Sequence, residues 1–529
     1  MTTISKKTLG RNGEEAPPET IREARAAVLV QARALIAFAL AQAGEGGTFV
    51  AFEKALIVQH VAAFARAVLV LFLVASEERV RRGLGAHVEL EGRRFRKAPA
   101  QPRNLLTWFG VVQYARTYLR QIVKPKQKAR GYHPLDAELG LLSDRISPNV
   151  LSITTRLSTR VSFEEAHNLA GWFLPAVPST EVIEAAVLGY GSKTQEWFEQ
   201  APSPEDDGDV LVVQIDSKGV PTATDTELRL RRGKRGRRKK APSPRHRGRL
   251  ARGRRTKKPR RAKGDKSKNA KMGTMVVMYT LRRSGKLLLG PINKRYYASF
   301  ASKRHAVDVA RREATKRGFS PGTNRVVQVL TDGDNDLARY IAEVFPGALH
   351  TVDVIHIVEK LWDAGSSVHR EGSDEFRTWV EKQKEALYTG HAIEIVAEFE
   401  RQLASISRTG PGNKYRREKL TEIRNYIEKR VENMSYDDLR RRDLEIGTGA
   451  VEGAIKNLMG GRMDHGGMRW IKERAEAMLQ LRCIDANGDW NAFVDHVHGT
   501  MRHSAVTKGE RPRLQQRVAS SLPSIAEAA

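Results

Sequence analysis

The chain of 529 residues contains a single cysteine, Cys483. One thiol can supply neither a disulfide framework nor the ligands of a cysteine-rich zinc site. This scarcity fits the reducing cytosol, and we expect a cytoplasmic location. The sequence also lacks a phosphate-binding P-loop, a His-Glu-x-x-His zinc motif and any internal repeat, so none of these patterns identifies a site or a repeat fold.

Long uninterrupted apolar runs are scarce as well. The most apolar window, 55–76, is interrupted by Gln59, His60 and Arg66. We interpret it as a buried or dimerising helix rather than a membrane span. The first 26 residues are polar and mixed in charge, which does not predict a signal peptide. We therefore expect no membrane partner.

The chain does have an excess of positive charge, with a formal net charge of +30 and a pI of about 10.2. Between Arg229 and Lys271 there are 23 Lys and Arg residues against one Asp, so this segment carries +22 and the rest of the chain +8. With few large apolar residues it cannot form a core, and we expect it to be disordered alone. The segment, called here the basic insert, predicts a salt-sensitive, non-specific grip on nucleic acid. The residues assigned to this contact are Arg231, Arg232, Lys234, Arg235, Arg237, Arg238, Lys239, Lys240, Arg254 and Arg255.

The length predicts three or four domains around a mixed α/β core. The composition of successive segments changes at several points, which gives the following division. We expect a helical N-terminal region (1–94), a DNA-binding region with a possible helix-turn-helix (95–201), the first part of the α/β core (202–365, with the basic insert at 229–271), a helical insertion (366–445), the last part of the core (446–500) and a polar tail (501–529).

Two features of the N-terminal half suggest DNA binding. Residues 95–120 are basic with interleaved aromatic side chains, a pattern that suits a phosphate backbone but fits an ordinary small domain with an aromatic core at least as well. Further on, Ser162 and Ser179 each begin a predicted helix, with Pro175 and Pro178 between them. Two short helices around a tight break predict either a helix-turn-helix or a plain helical hairpin.

The segment 324–362 is the most informative part of the chain. A β-branched run ends at Asp332, an amphipathic segment follows, and a second apolar run from His350 to Ile357 contains Asp353 and His356. This order predicts a parallel β-α-β unit, in which ligands bind at the carboxyl ends of the strands. Taken alone, Asp332 is better explained by an Asp-Gly turn.

Two further acids follow related patterns. The apolar strand 210–215 is followed by Asp216, for which a turn is again the simpler explanation. Glu452 borders an apolar helical stripe, where an exposed pair with Lys456 is the simpler explanation. Considered together, three carboxylates in one α/β domain can hold two Mg²⁺ ions about 4 Å apart for phosphodiester chemistry. This hypothesis requires Asp216, Asp332 and Glu452 to meet in space.

The sequence resembles bacterial insertion-sequence transposases of the DDE, RNase H-like superfamily, near the Mutator-like elements. The matching stretches are QIDSKGVP, TDGDNDLARYIAEVFPGALHTVDVIH and TGAVEGAIKNLMGGRMDHGGMRWIKERAEAMLQLRCIDANGDW, within about Val210 to Phe493. A weaker match covers 104–191. The resemblance implies an RNase H-like mixed sheet with an inserted helical region, preceded by a mainly helical DNA-binding region.

The resemblance also implies residue roles. Asp216, Asp332 and Glu452 match the catalytic, metal-binding acids, and Asp353 and His356 match a supporting pair; a core histidine on a strand is the competing interpretation of His356. Arg462, Arg469 and Trp470 would contact DNA or pack the site. The implied cofactor is Mg²⁺ (two ions), and the implied partners are element-end and target DNA together with further copies of the chain.

Two departures from the family pattern stand out. The cysteines often found near 120–134 are absent, which removes any zinc site there, and the basic insert is longer than the usual connection. The expected function is DNA strand cleavage and strand transfer. A nuclease without strand transfer and a non-enzymatic DNA-binding protein derived from a transposase are the alternatives.

Overall fold

A computed structural model describes residues 2–4, 18–125, 127–141, 145–224, 226–228, 270–320, 322–464, 468–509 and 514. Nearly all of the basic insert, 229–269, lies outside these residues. The chain divides into two compact units. Unit 1 comprises Met1–Phe198 and Gly488–Leu522, and unit 2 comprises Glu199–Asn487 and Pro523–Ala529.

Unit 1 contains the predicted N-terminal helices. The first begins at a capping box, in which the Thr20 hydroxyl accepts a hydrogen bond from the Glu23 amide and the Glu23 carboxylate accepts one from the Thr20 amide. This helix ends at Glu45, at the glycine-rich segment 44–47. The elements are α1 (Ile21–Glu45), α2 (Phe49–Ala55), a π-helical turn (Leu56–Val61) and α3 (Ala62–Gly83).

The most apolar window is not fully buried. Leu73 and Val74 are buried, whereas Ile57, Val58 and Phe72 are each more than half exposed. Two helical stretches, Ile21–Glu45 and Phe49–Gly83, are long and apolar enough to cross a membrane. Such helices are weak evidence for a membrane, because core helices of soluble proteins pass the same test. The dimerising role stays a prediction.

Unit 1 also contains a four-stranded antiparallel sheet that the sequence did not predict. Aromatic side chains of the 95–120 segment, among them Phe95 and Tyr114, are fully buried in it. The alternation that suggested a DNA-binding face is therefore, in part, the period-two pattern of strands with one packed face. The sheet has the order β2-β3-β4-β5, and a separate parallel pair joins β1 to β6. These strands are β1 (Thr2–Ile4), β2 (His87–Leu90), β3 (Arg93–Thr107), β4 (Gly110–Gln121), β5 (Gly131–Tyr132) and β6 (Ala176–Pro178).

The two short helices of the possible helix-turn-helix are present where they were predicted. Ser162 caps the first through a hydrogen bond from the Glu165 amide, and Ser179 precedes the second. DNA binding by this pair stays a prediction. The remaining helices of this unit are α4 (Pro134–Glu138), α5 (Pro148–Arg160), α6 (Phe163–Ala170), α7 (Thr180–Gly191), α8 (Thr194–Gln200, which extends to the boundary) and the helix Trp490–Lys508.

Unit 2 is built on a five-stranded mixed sheet of order β11-β10-β7-β8-β9. Strands β7, β10 and β11 are parallel, while β8 and β9 are antiparallel additions on the other side of β7. The predicted β-α-β unit is confirmed. The strands are β7 (Val210–Pro221), β8 (Ala270–Ser284), β9 (Leu287–Ser299), β10 (Val326–Thr331) and β11 (Leu349–Val352). The basic insert lies in the connection between the first and second strands of this sheet.

Helices complete unit 2, including the predicted helical region that follows β11. They are α9 (Lys303–Lys316), α10 (Asn335–Val344), α11 (Val354–Val368), α12 (Asp374–Tyr388), α13 (Ala392–Ser405), α14 (Asn413–Glu428), α15 (Tyr436–Arg441), α16 (Gly449–Ala454), α17 (Gly461–Met463) and α18 (Lys472–Ala486). A π-helical turn, Ile455–Gly460, joins α16 to α17.

The acidic segment before β7 forms hydrogen bonds that fix the position of this strand. Asp207 accepts two hydrogen bonds of 2.7 Å from the guanidinium of Arg317, which is buried. Asp207 also accepts from the Thr280 hydroxyl and from Asn293. The Asp207 carboxylate therefore links the start of β7 to β8, β9 and the end of α9 through charge-assisted hydrogen bonds.

Candidate functional site

Acidic residues follow the parallel part of three neighbouring strands of the unit 2 sheet. Ile215 of β7 pairs with Thr331 of β10, so Asp216 and Asp332 come next on adjacent strands. Thr331 also pairs with Val352 of β11, after which comes Asp353, whose amide donates to the Thr331 carbonyl at 2.8 Å. Adjacent strands lie about 4.8 Å apart. The sheet thus places Asp216, Asp332 and Asp353 in a row.

The surroundings of these acids differ from the sequence interpretation in two places. Strand β7 does not turn after Asp216 but continues to Pro221, paired with β8. The second apolar run is a strand only as far as Val352; Asp353 caps α11, and His356 lies in the first turn of that helix rather than on a strand. The strand is shorter than predicted because the Asp353 side chain accepts from the Ile355 amide and starts a helix.

Asp353 is fully buried and uses both of its oxygens in hydrogen bonds. One oxygen accepts from the Ile355 amide at 3.0 Å, and the other lies 2.9 Å from Nδ1 of His356 and 2.6 Å from the Thr448 hydroxyl that donates to it. Burial opposes ionisation, but the hydrogen bonds from His356 and Thr448 outweigh it and lower the pKa of Asp353. The hydrogen bond with Asp353 raises the pKa of His356 to about 9, against the effect of burial.

Glu452 reaches the same place from a different part of the chain. It lies on α16, directly before the π-helical turn, a feature that is frequent at functional sites. The Thr448 hydroxyl lies 3.2 Å from one of its carboxylate oxygens. Asp353, His356 and Glu452 each offer one ligand atom, and these atoms all lie within 4.8 Å of one another. Thr448 thus connects the third acid to the supporting pair.

The three predicted catalytic acids interact electrostatically. Burial raises the pKa of Asp216, and the charges of Asp332 and Glu452 raise it further. The Ser217 amide, which donates to Asp216 at 2.6 Å, and the charge of His356 act in the opposite direction. Asp216 therefore lies among carboxylates that repel it, and a bound cation would relieve this repulsion.

The loop that carries Asp332 is held by the helical region that follows β11. Tyr426 of α14 donates its hydroxyl hydrogen to the Asp332 carbonyl at 2.6 Å, and Arg430 donates through Nε to the Gly333 carbonyl at 2.7 Å. Gly333 has a φ of +83°, and a Cβ atom there would come within 2.4 Å of the Tyr426 hydroxyl. Only glycine fits this turn, and the helical region fixes the position of the second acid.

The predicted DNA contacts fall in two groups. The ten residues assigned within the basic insert lie outside the described residues. In the closing block, Arg462 and Trp470 are buried, the guanidinium of Arg462 lies over the Trp470 ring at 4.9 Å, and Trp470 Nε1 donates to the Met463 carbonyl. These contacts favour the packing role for Arg462 and Trp470. Contact of Arg462, Arg469 and Trp470 with DNA stays a prediction.

The sequence interpretation missed one member of the cluster, Thr448, and gave another, Asp353, only a supporting role. Asp353 was assigned only by resemblance, although a strand followed by an acid, the pattern used for Asp216 and Asp332, occurs a third time in LHTVD. Thr448 was not singled out at all, and no local signal marks it. Its role depends on a hydrogen bond to a residue 95 positions away.

The cluster is a set of oxygen ligands with one imidazole beside them. Carboxylate oxygens are the ligands that Mg²⁺ prefers, whereas imidazole suits transition metals better. The predicted ligands Asp216, Asp332 and Glu452 offer such oxygens, but of these only Glu452 belongs to the group whose ligand atoms lie within 4.8 Å of one another. Binding of Mg²⁺ by the three acids stays a prediction, with Asp353 and His356 as their predicted supporting pair. Neither the protein-family models nor the curated proteins give a match to this chain.

Proposed function

We propose that the protein is a DDE transposase that cleaves DNA strands and joins them to a target. The observation that carries the proposal is that Asp216 and Asp332 follow paired residues of adjacent parallel strands, while Glu452, 120 positions after Asp332, lies beside Asp353 at the end of the third strand. The proposed fold is RNase H-like. The five-stranded order, with three parallel and two antiparallel strands and the acids at the carboxyl ends of the parallel ones, supports it.

Asp216, Asp332 and Glu452 would hold the metal in this proposal. Two bound Mg²⁺ ions supply activation of a water or 3′-hydroxyl nucleophile and stabilisation of the leaving oxygen. Asp353 orients the His356 ring through its Nδ1 atom, as carboxylates do for histidines at metal sites. The Tyr426 and Arg430 contacts hold the Asp332 loop, and Thr448 holds Glu452 near Asp353.

The proposed substrate is DNA, both element ends and target. Most of the net charge of the chain is in the basic insert, which lies in the connection between β7, the strand that carries Asp216, and β8. A long basic segment attached to the central strand would grip the backbone of DNA at the site without sequence preference. Deletion of 229–271 should therefore weaken binding to all sequences and flatten its salt dependence.

The deciding experiment measures strand cleavage. The full chain, with Mg²⁺, is given DNA carrying the ends of its own element, and the products are separated on a denaturing gel. The Asp332→Ala, Asp216→Ala and Glu452→Ala variants should each lose cleavage while they retain most of their DNA binding. Cleavage that persists in Asp332→Ala at the wild-type rate would overturn the proposal.

A plasmid-joining assay separates transposition from simple hydrolysis. The freed 3′-hydroxyl should become joined to target DNA, and a cleaving protein that gives no joined product is a nuclease instead. Salt-sensitive binding with no metal-dependent turnover would identify a DNA-binding protein without catalysis.

A further inference from the structure

Two glutamines lie in the interior of the unit 2 sheet, where apolar side chains would be expected. Gln214 is 1% exposed and Gln328 is fully buried. They occupy adjacent parallel strands, two and four residues before Asp216 and Asp332. Burying a side-chain amide costs free energy unless the amide forms hydrogen bonds. The hydrogen-bond partners of these two side chains therefore indicate their role.

Both amides hold the segment that leads to Glu452. Gln328 donates to the Glu445 carbonyl at 2.6 Å and accepts from the Glu445 amide at 3.1 Å. Gln214 donates to the Gly447 carbonyl at 3.2 Å and accepts from the amide of Val451, the residue before Glu452, at 3.0 Å. The chain that returns from the helical region is thereby fastened to the strands that carry the first two acids.

Tyr279 of β8 connects the two glutamine contacts. Its hydroxyl lies 3.1 Å from Nε2 of Gln214 and donates to the Glu445 carboxylate at 3.1 Å. Both the nitrogen and the oxygen of the Gln214 side-chain amide therefore have hydrogen-bond partners. An apolar side chain of the same size could fill the volume but could not fix the rotation of α16 about its axis.

We infer that Gln214 is a positioning residue that sets Glu452 against Asp216 by holding the amino-terminal end of α16. Gln214 does not touch the reacting atoms; it acts through the Val451 amide and the Gly447 carbonyl. The strand that presents the first acid therefore also aligns the third, independently of the Thr448 contact. The inference depends on the proposed function only in that it takes Glu452 to be a metal ligand.

The test compares two variants with similar loss of a buried amide. Gln214→Met keeps the volume and removes the hydrogen bonds to α16. Gln480→Met is the matched control, because Gln480 is also buried in unit 2 but donates to Glu476 rather than to the site. Both variants should lose some thermal stability, so stability alone does not separate them.

The deciding readout is Mn²⁺ binding by the full chain, followed by electron paramagnetic resonance of the free ion. We expect Gln214→Met to raise the half-saturating Mn²⁺ concentration by about 10- to 100-fold, as loss of contacts that support metal ligands does elsewhere. Gln480→Met should bind like the wild type. The cleavage activity of Gln214→Met should recover partly at high Mg²⁺, which a loss of folded protein would not produce.

The remaining outcomes distinguish this inference from the proposed function. Wild-type cleavage together with an unchanged Mn²⁺ affinity in Gln214→Met overturns the positioning role alone. A wild-type chain that binds no divalent ion overturns both. If Gln214→Met does not fold, the Tyr279→Phe variant is measured instead, because it removes the hydroxyl that orients the Gln214 amide. The half-saturating Mn²⁺ concentration of Tyr279→Phe should also rise. An unchanged concentration overturns the inference.

Discussion

Two acid clusters, one buried in unit 1 and one partly exposed in unit 2, differ in how their charge is neutralised. In unit 1, Asp136 forms ion pairs of 2.7 Å with Arg103 and with Arg116 and accepts a hydrogen bond from Tyr114 at 2.9 Å. In unit 2, Asp216 has Asp332 and Glu452 nearby, and their charges raise its pKa. The first cluster pairs its carboxylate with two guanidinium groups, whereas in the second the carboxylates of Asp216, Asp332, Asp353 and Glu452 lie near one imidazole, that of His356.

This difference separates a structural acid from a functional one. A buried carboxylate with cationic partners contributes to the fold, because removal of either partner leaves an unpaired charge. Carboxylates placed together against their own repulsion lower the stability of the fold and need another reason to be there. A cation-binding site supplies that reason, and four predictions test the contrast.

The largest expected effect is on the free energy of unfolding. Asp136→Asn leaves Arg103 and Arg116 without their carboxylate and should lower the stability of unit 1 by about 3–5 kcal/mol. Asp216→Asn, measured in EDTA, should leave the stability of unit 2 unchanged or higher, because it removes repulsion. Chemical denaturation of both variants gives the comparison, and a similar loss in the two would contradict it.

Divalent ions should stabilise only the second cluster. At a Mg²⁺ concentration 100 times its dissociation constant, the native state gains about 2.7 kcal/mol. This stabilisation by Mg²⁺ should appear in the thermal unfolding of the wild type. It should be absent from the double variant in which Asp216→Asn and Asp332→Asn are combined. The Asp136→Asn variant serves as the control and should retain the response.

The Asp207 ion pair predicts a pH dependence. Burial opposes ionisation there, but the hydrogen bonds from Arg317 and Thr280 lower the pKa of Asp207 below its ordinary value of 3.8. A carboxyl group with a lowered folded-state pKa contributes stability that is present above pH 3.8 and is lost as the pH falls through the folded value. Asp207→Asn should therefore destabilise at pH 7 and converge with the wild type in acid. If the stability difference between the wild type and Asp207→Asn were the same at pH 7 and in acid, the lowered pKa of Asp207 would be contradicted.

The smallest expected effect concerns the Asp332 loop. Tyr426→Phe removes the hydroxyl that donates to the Asp332 carbonyl. The loss of one such hydrogen bond costs about 1 kcal/mol. The variant should bind Mn²⁺ several-fold more weakly while α14 stays folded, as seen by circular dichroism. Tyr415→Phe is a suitable control, because Tyr415 lies on the same helix and is 68% exposed.

Local patterns predicted much of unit 2. The β-branched run before Asp332, the amphipathic segment after it and the second apolar run specified the β-α-β unit. The unit 1 sheet was not predicted. Its strands combine basic residues with packed aromatic residues, and the same mixture of residue types is typical of a DNA-binding surface. The helix at His356 was missed because its start depends on the side chain of one residue, Asp353.

The sequence by itself determined that the chain carries acids after apolar runs and a concentrated positive charge, since both are properties of neighbouring residues. Only the tertiary structure decided that Asp216, Asp332, Asp353 and Glu452 come together. Strand register aligns the first three, and the amide of Gln214 with the hydroxyl of Thr448 brings the fourth. Contacts between residues more than 90 positions apart depend on how the whole sheet and its helices pack, and no local pattern specifies them.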